Sequence, residues 1–230
     1  MHIERLRVLA DMLIRGEAAA DIGADHALLS VFLVKENIVP WLVASEFKDG
    51  PYLRLSRTIQ NSPYRDRIKV RQGDGLEVLT NGEVGNVIIA GMGGDTIVEI
   101  LSSDWRKAAS FSRFVFQAMS RSAVLRQALA IKGWPILDER LVWEKGRFYT
   151  LISSCPGEKP YSLSPLQMEL GSAVFENNSK YKMEYIKTCR KKYDKIYRGL
   201  LKSGKADEAE LARYRELLMK LEEMSGAGKG

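Results

Sequence analysis

The sequence predicts an α/β fold: five parallel strands covered by helices, closed by an antiparallel strand pair and followed by an antiparallel helical hairpin. Short apolar runs recur at 18–23, 41–46, 68–73, 86–92 and 113–119, with helix-like stretches between them. That alternation is what a parallel sheet with crossover helices requires. At 134–154 the rhythm changes to two strand-like runs joined by "EKGR" with no helix between, which reads as a hairpin. After residue 165 the pattern becomes wholly helical.

Each element has its own local signal. Leu6, Leu9, Ala10 and Leu13 follow helical spacing, so an amphipathic helix precedes the first strand. The five apolar runs "AAADIG", "WLVASE", "IKVRQG", "NVIIAGM" and "RFVFQAM" are short and bounded by turn residues, as buried strands are. "CPGEKPYSLSP" (155–165) breaks the pattern, and a domain boundary is placed after residue 158. Beyond it, Ile186, Cys189, Tyr193, Ile196 and Leu200 form one seam, and Leu211, Tyr214, Leu218 and Leu221 another. "KSGKAD" (202–207) lies between them as a turn, so two helices fold back on each other like a short coiled coil. The closing "GAGKG" is expected to fray.

Composition sets the outer bounds. The 230 residues, 45% hydrophobic, suffice for one substantial core and a small second module. No leader-like start and no run of roughly 18 apolar residues is present, so a cytoplasmic protein without a membrane segment is expected. Cys155 and Cys189 are isolated, which excludes a disulfide framework and a thiolate metal site. The net charge of +6 is unevenly spread: residues 1–158 hold 20 basic and 19 acidic side chains, residues 159–230 hold 15 and 10. A polyanionic partner is therefore expected at the tail.

Five alternating strands closed by an antiparallel pair outline the seven-stranded Rossmann-like class I methyltransferase domain, whereas a dinucleotide fold would continue with another helix. In such sheets ligands sit beyond the carboxyl ends of the central strands. Gly23 ends the first strand, Glu46 the second and Asp74 the third. A carboxylate at the second position can accept both hydroxyls of an adenosine ribose, and one at the third can accept from the adenine amino group. Alternatives stay open for each: Gly23 fits any βα turn, Glu46 could be a solvated strand end, and Asp74 a helix cap. Gly91, Gly93 and Gly94 in "GMGG" would admit a flat base and the methionine end of a cofactor close to the backbone, or simply start a helix.

"DIGADHALL" (21–29), "SEFKDGPY" (45–52), "VRQGDGLE" (70–77), "IAGMGG" (89–94), "LR" (125–126) and "GWPILDERLVWEKGRFY" (133–149) together resemble the TrmK family, bacterial enzymes that methylate N1 of adenine at position 22 of tRNA. The resemblance implies S-adenosylmethionine as cofactor and tRNA as partner, with no metal, membrane or protein partner. It assigns the cofactor site to Asp21, Gly23, Asp25, His26, Glu46, Phe47, Asp74, Gly75, Gly91, Met92 and Gly93. The sequence departs from the family pattern at Ala24, Leu28, Ser30 and Ala118.

The chemistry fits a ring nitrogen. Adenine N1 carries an in-plane lone pair, so placement and polarity suffice without a prior general base. Methyltransferases acting on exocyclic amines usually carry an Asn/Asp-Pro-Pro-aromatic tetrad after strand four, where this chain has "GMGG". The methylated base is cationic; Asp25 and, less directly, Asp95 are the carboxylates that could stabilise it, though Asp25 could equally bond backbone amides at a helix start. His26 could orient substrate or pack at that helix start. Residues 180–205 hold ten Lys or Arg against Glu184 and Asp194, with tyrosines interleaved. From this run, which begins at Lys180 and ends at Lys205, Lys187, Arg190, Lys191, Lys195, Arg198 and Lys202 are the expected RNA contacts. Competing possibilities are a nicotinamide enzyme, for which "GADHAL" lacks the required glycines, another RNA substrate, and a non-catalytic RNA-binding adaptor.

Overall fold

The computed structural model describes residues 3–172, 181–204 and 206–226. Lys180, Lys205 and most of the "GAGKG" tail lie outside the described residues. The chain divides into two units, Met1–Ser162 and Leu163–Gly230. The division falls a few residues beyond the boundary expected after 158. Tyr161 explains the difference: its amide donates to the Ala130 carbonyl and its hydroxyl to the Trp134 carbonyl, at 3.1 and 3.0 Å.

In the first unit, α1 (Ile3–Asp11) precedes β1 (Ala19–Ile22), α2 (Leu28–Lys35), β2 (Leu42–Glu46), α3 (Asp49–Gln60), β3 (Ile68–Gln72) and β4 (Asn86–Gly93). There follow α4 (Gly94–Ser103), α5 (Trp105–Ala108), β5 (Arg113–Ser120), α6 (Ser122–Lys132), β6 (Ile136–Glu144) and β7 (Arg147–Ser154). The seven strands form one sheet in the order β3-β2-β1-β4-β5-β7-β6, the first five parallel and β7 antiparallel to both neighbours. β1 and the first four residues of β2 are wholly buried, so their near-continuous apolar sequence suits strands covered on both faces.

Alternation along the strands sorts side chains between the two faces. Ala19, Ile88 and Val115 pack with the α1 and α2 leucines, whereas Ala20, Ile89, Phe114 and Phe116 pack with α4 and α6. Period two therefore sends Asp21, Ala90 and Gln117 to the α1/α2 face. The expected hairpin is β6–β7, closed by Lys145 (φ 50°) and Gly146 (φ 73°). Two successive positive φ values are those of a type I′ turn, whose twist matches the flanking strands. Arg126 of α6 and Glu139 of β6 form a fully buried ion pair at 2.7 Å, fastening helix to hairpin.

The second unit holds α7 (Pro165–Leu170), α8 (Lys182–Ser203) and α9 (Glu208–Gly226). α7 was not anticipated; a capping box between Ser164 and Gln167, with Pro165 at the first turn, starts it inside the expected linker. The seam buries Tyr185, Ile186, Cys189 and Tyr193 of α8 against Leu217 and Leu221 of α9. Leu217 replaces the expected Leu218, which is half-buried; the two neighbours both fit helical spacing, and packing selects between them. Tyr193 donates to one Glu169 oxygen at 2.5 Å and Arg213 to the other at 2.8 Å, pinning α7 to the hairpin. Burial and the Glu169 charge push the Tyr193 phenol far above its ordinary pKa, so it stays a donor.

Candidate functional site

The turn after β1 is built by backbone rather than by repeated glycines. Gly23 has φ 78°, a backbone conformation that glycine adopts without strain, and a Cβ there would also displace the Met92 methyl. The Gly23 and Ala24 amides both donate to the Ser45 carbonyl, at 2.9 and 3.0 Å. The Asp25 amide donates to Glu46 Oε1 at 2.7 Å. Asp25 (φ 40°) and Ala27 (φ 58°) then complete the turn in the left-handed region before α2 begins.

Two cavities open on opposite faces of the sheet and meet at Gly23. The larger, about 470 Å³, lies on the α4 face; Glu46, Phe47, Asp74, Gly75 and Met92 line it with Ile22 and Ile100. One Glu46 oxygen holds the turn, and the other has no hydrogen-bond partner among the described residues. Asp74 occupies the first position of a 3-10 turn but makes no capping bond, and its side chain is exposed and unpartnered among the described residues. Phe47 is 60% exposed beside it. Two available carboxylates and an uncovered aromatic ring match a ribose and a purine.

The smaller cavity, about 250 Å³, lies on the α1/α2 face; Arg5, Leu6, Leu9, Asp21, Asp25, His26, Leu28, Ala90, Gly91 and Gln117 contribute to its wall. Asp21 is buried and accepts from Ser30 Oγ at 2.6 Å. Desolvation, reinforced by the nearby Glu46 charge, outweighs that bond and raises its pKa to about 6. Asp25 is engaged by Arg54 at 3.2 Å and by His26 at 3.3 Å. α2 begins instead with Ala27 as its cap residue, and the Asp25 carboxylate accepts a hydrogen bond from Arg54. Gly91 (φ 80°) marks a register irregularity between β4 and β5, and a Cβ there would meet nothing within 4 Å.

Residues 3–152 match the family model described as a methyltransferase domain. Over 171 residues the chain is 32% identical to tRNA (adenine(22)-N(1))-methyltransferase of Bacillus subtilis strain 168, covering 74% of this chain and 72% of that relative. The crystal structure of the B. subtilis m1A22 tRNA methyltransferase TrmK superposes with a TM-score of 0.77 at 28% identity, over 97% of this chain and 95% of that one. The chain belongs to the TrmK methyltransferase family.

Another TrmK-like structure, Streptococcus pneumoniae Sp1610 in complex with S-adenosyl-L-methionine, has a TM-score of 0.79 at 26% identity and covers 94% of this chain and 98% of its own. In the present TrmK chain the expected residues divide between the cavities: Glu46, Phe47, Asp74, Gly75 and Met92 in one, Asp21, Asp25, His26 and Gly91 in the other, Gly23 in both. Gly93 and Asp95 line neither. Gly93 precedes the first turn of α4, and Asp95 is turned to Arg121 at 3.1 Å. Proximity in sequence to "GMGG" thus leaves the Asp95 carboxylate outside the lining of both cavities. Arg5 and Gln117 belong to the wall and were not anticipated; a polar residue within the apolar run "RFVFQAM" was the available signal for Gln117.

On α8 of this TrmK chain, Lys187, Lys191, Lys195, Arg198 and Lys202 are all exposed. At about 100° per residue they fall within a sector of roughly 80°, opposite buried Ile186, Cys189 and Tyr193. Arg190 and Arg198 are paired with Glu222 and Asp194, at 2.7 and 3.0 Å. Among the described residues no helix is long and apolar enough to cross a membrane, and no group of three or more His, Cys, Asp or Glu could hold a metal ion.

Proposed function

We propose that this protein transfers the methyl group of S-adenosylmethionine to N1 of adenine 22 in tRNA, using the first unit for chemistry and the basic α8 stripe for RNA. The observation that carries it is the pair of cavities meeting at Gly23: acceptors suited to a nucleoside on one side, an apolar slot with a few polar groups on the other. When bound, S-adenosylmethionine supplies an electrophilic methyl group on a sulfonium. Glu46 would accept the ribose hydroxyls, Phe47 and Asp74 would hold the adenine, and Asp21 would face the cationic amine. Asp25 then puts a carboxylate beside the base as it becomes cationic. The base must leave its stack to enter the slot. The reaction needs no metal or protein partner, and its substrate places it in the cytoplasm.

The direct test incubates the full chain with methyl-labelled S-adenosylmethionine and unmodified bacterial tRNA, and maps the modified nucleosides. Label is expected in N1-methyladenosine and is expected to vanish when adenine 22 is replaced by guanine. Label elsewhere, or none, would refute the assignment.

Asp21 gives a pH signature. Its folded pKa of about 6 lies above the ordinary 3.8, so the stability it contributes is fully present below pH 3.8 and is lost as pH rises through 6. Asp21→Asn is therefore expected to raise the melting temperature of the ligand-free protein above pH 6, by a stabilisation on the order of 1–3 kcal/mol, while weakening cofactor binding. Cofactor affinity of the wild type should fall as pH drops below about 6 and that of the variant should not; calorimetry across pH 5–8 checks both.

The α8 stripe gives a salt signature. Replacing Lys187, Lys191, Lys195 and Lys202 by Gln is expected to raise KM for tRNA roughly 10-fold or more and to flatten log K against log salt by up to about 3–4. Cofactor affinity should not change. An unaltered salt slope would show that RNA lies elsewhere.

A further inference from the structure

Gln117 is a buried amide whose hydrogen-bonding capacity is largely unspent. Its side chain lines the smaller cavity, only 2% of the residue is exposed, and it pairs in register with Ala90, next to Gly91. Its oxygen receives a long bond from Arg5 Nη1 at 3.5 Å, and among the described residues its nitrogen donates to the Met119 sulfur alone, at 3.2 Å. A thioether is a weak acceptor, and a buried amide left so poorly matched is costly unless a ligand completes it. Arg5 is fixed in turn, stacked 4.5 Å from the Tyr149 ring centroid and 4.0 Å from Glu144. Its charge therefore has a counter-ion and a ring face of its own, and its weak contact orients Oε1 without saturating it.

We propose that Gln117 is the residue that selects adenine, reading N6 and N7 of the base while leaving N1 open. This rests on the function proposed above. The methyl group takes N1, so recognition must use other atoms, and a glutamine amide satisfies adenine bidentately through N6 and N7. Oε1 accepts from the N6 amino group and Nε2 donates to N7. Guanine presents two acceptors, O6 and N7, to the same amide, and its N1 carries a proton instead of a free lone pair. Gly91, with open space where a side chain would project, leaves room for the ring beside the amide. The leucines of α1 and α2 supply apolar walls that keep competing water away.

The test removes one atom from each side of the contact. Full-length wild type, Gln117→Ala and Gln117→Glu are assayed in single turnover on tRNA carrying adenosine or 7-deazaadenosine at position 22, with cofactor affinity measured alongside. The Glu variant keeps an acceptor for N6 and loses the donor for N7. Wild type is expected to lose about 10- to 100-fold in kcat/KM on the deaza substrate. Both variants are expected to lose about as much on adenosine and almost nothing further on 7-deazaadenosine, with cofactor affinity within a few-fold of wild type. An equal deaza penalty in all three proteins, or none in the wild type, would overturn the assignment of Gln117 while leaving the methyltransferase assignment intact. Failure of the wild type to form N1-methyladenosine on unmodified tRNA would overturn both.

Discussion

Glu46→Ala is expected to raise the dissociation constant for S-adenosylmethionine by about 100- to 1,000-fold. The carboxylate ends β2 with one oxygen unpartnered among the described residues and the other accepting the Asp25 amide. Two hydrogen bonds from ribose hydroxyls to a charged acceptor are worth roughly 1.5–3 kcal/mol each, and about 2.7–4.1 kcal/mol corresponds to that range of affinity. Part of the loss would come through the turn, since removing Glu46 also frees the Asp25 amide. Glu46→Gln separates the two contributions: it retains an acceptor for the amide and loses the charge, so a smaller penalty is expected. Calorimetric titration of the three proteins decides it, and unchanged affinity in the Ala variant would place the ribose elsewhere.

Arg126→Met should destabilise the fold by about 3–5 kcal/mol, because it leaves the Glu139 carboxylate charged in the interior. The pair has side-chain exposures of 1% and 0%, and Ser122 Oγ adds a further contact to Arg126 at 3.3 Å. The companion change Glu139→Leu is expected to return most of the loss, since a well-packed apolar pair often matches a buried ion pair. Denaturant unfolding of the two single variants and the double variant measures the coupling. Additive losses would mean that the pair is not the fastening between α6 and the hairpin.

The parts of this molecule that were legible in the sequence are those governed by local rules. Buried parallel strands are short, apolar and bounded by turn residues, so all seven strands of the sheet could be placed from "AAADIG" to "RFYTLISS". Strand ends carry ligand groups because the topology leaves them open, which is why Gly23, Glu46 and Asp74 stood out. Direction is less legible than position. Asp95 follows the glycines closely in sequence, yet the first turn of α4 carries it to Arg121. Arg5 sits on an amphipathic helix whose charged face looks solvated until the fold brings it against Gln117, 112 residues away. The seam of the hairpin shows the same limit, since Leu217 and Leu218 satisfy the helical spacing equally well and only packing separates them.

The two cavities lie on opposite faces of the sheet and have Gly23, at its rim, in common. On the proposed function, the nucleoside half of the methyl donor and the incoming base would lie on opposite sides of β1 and β4. A compound built to straddle the rim would gain from both chambers through a single short tether.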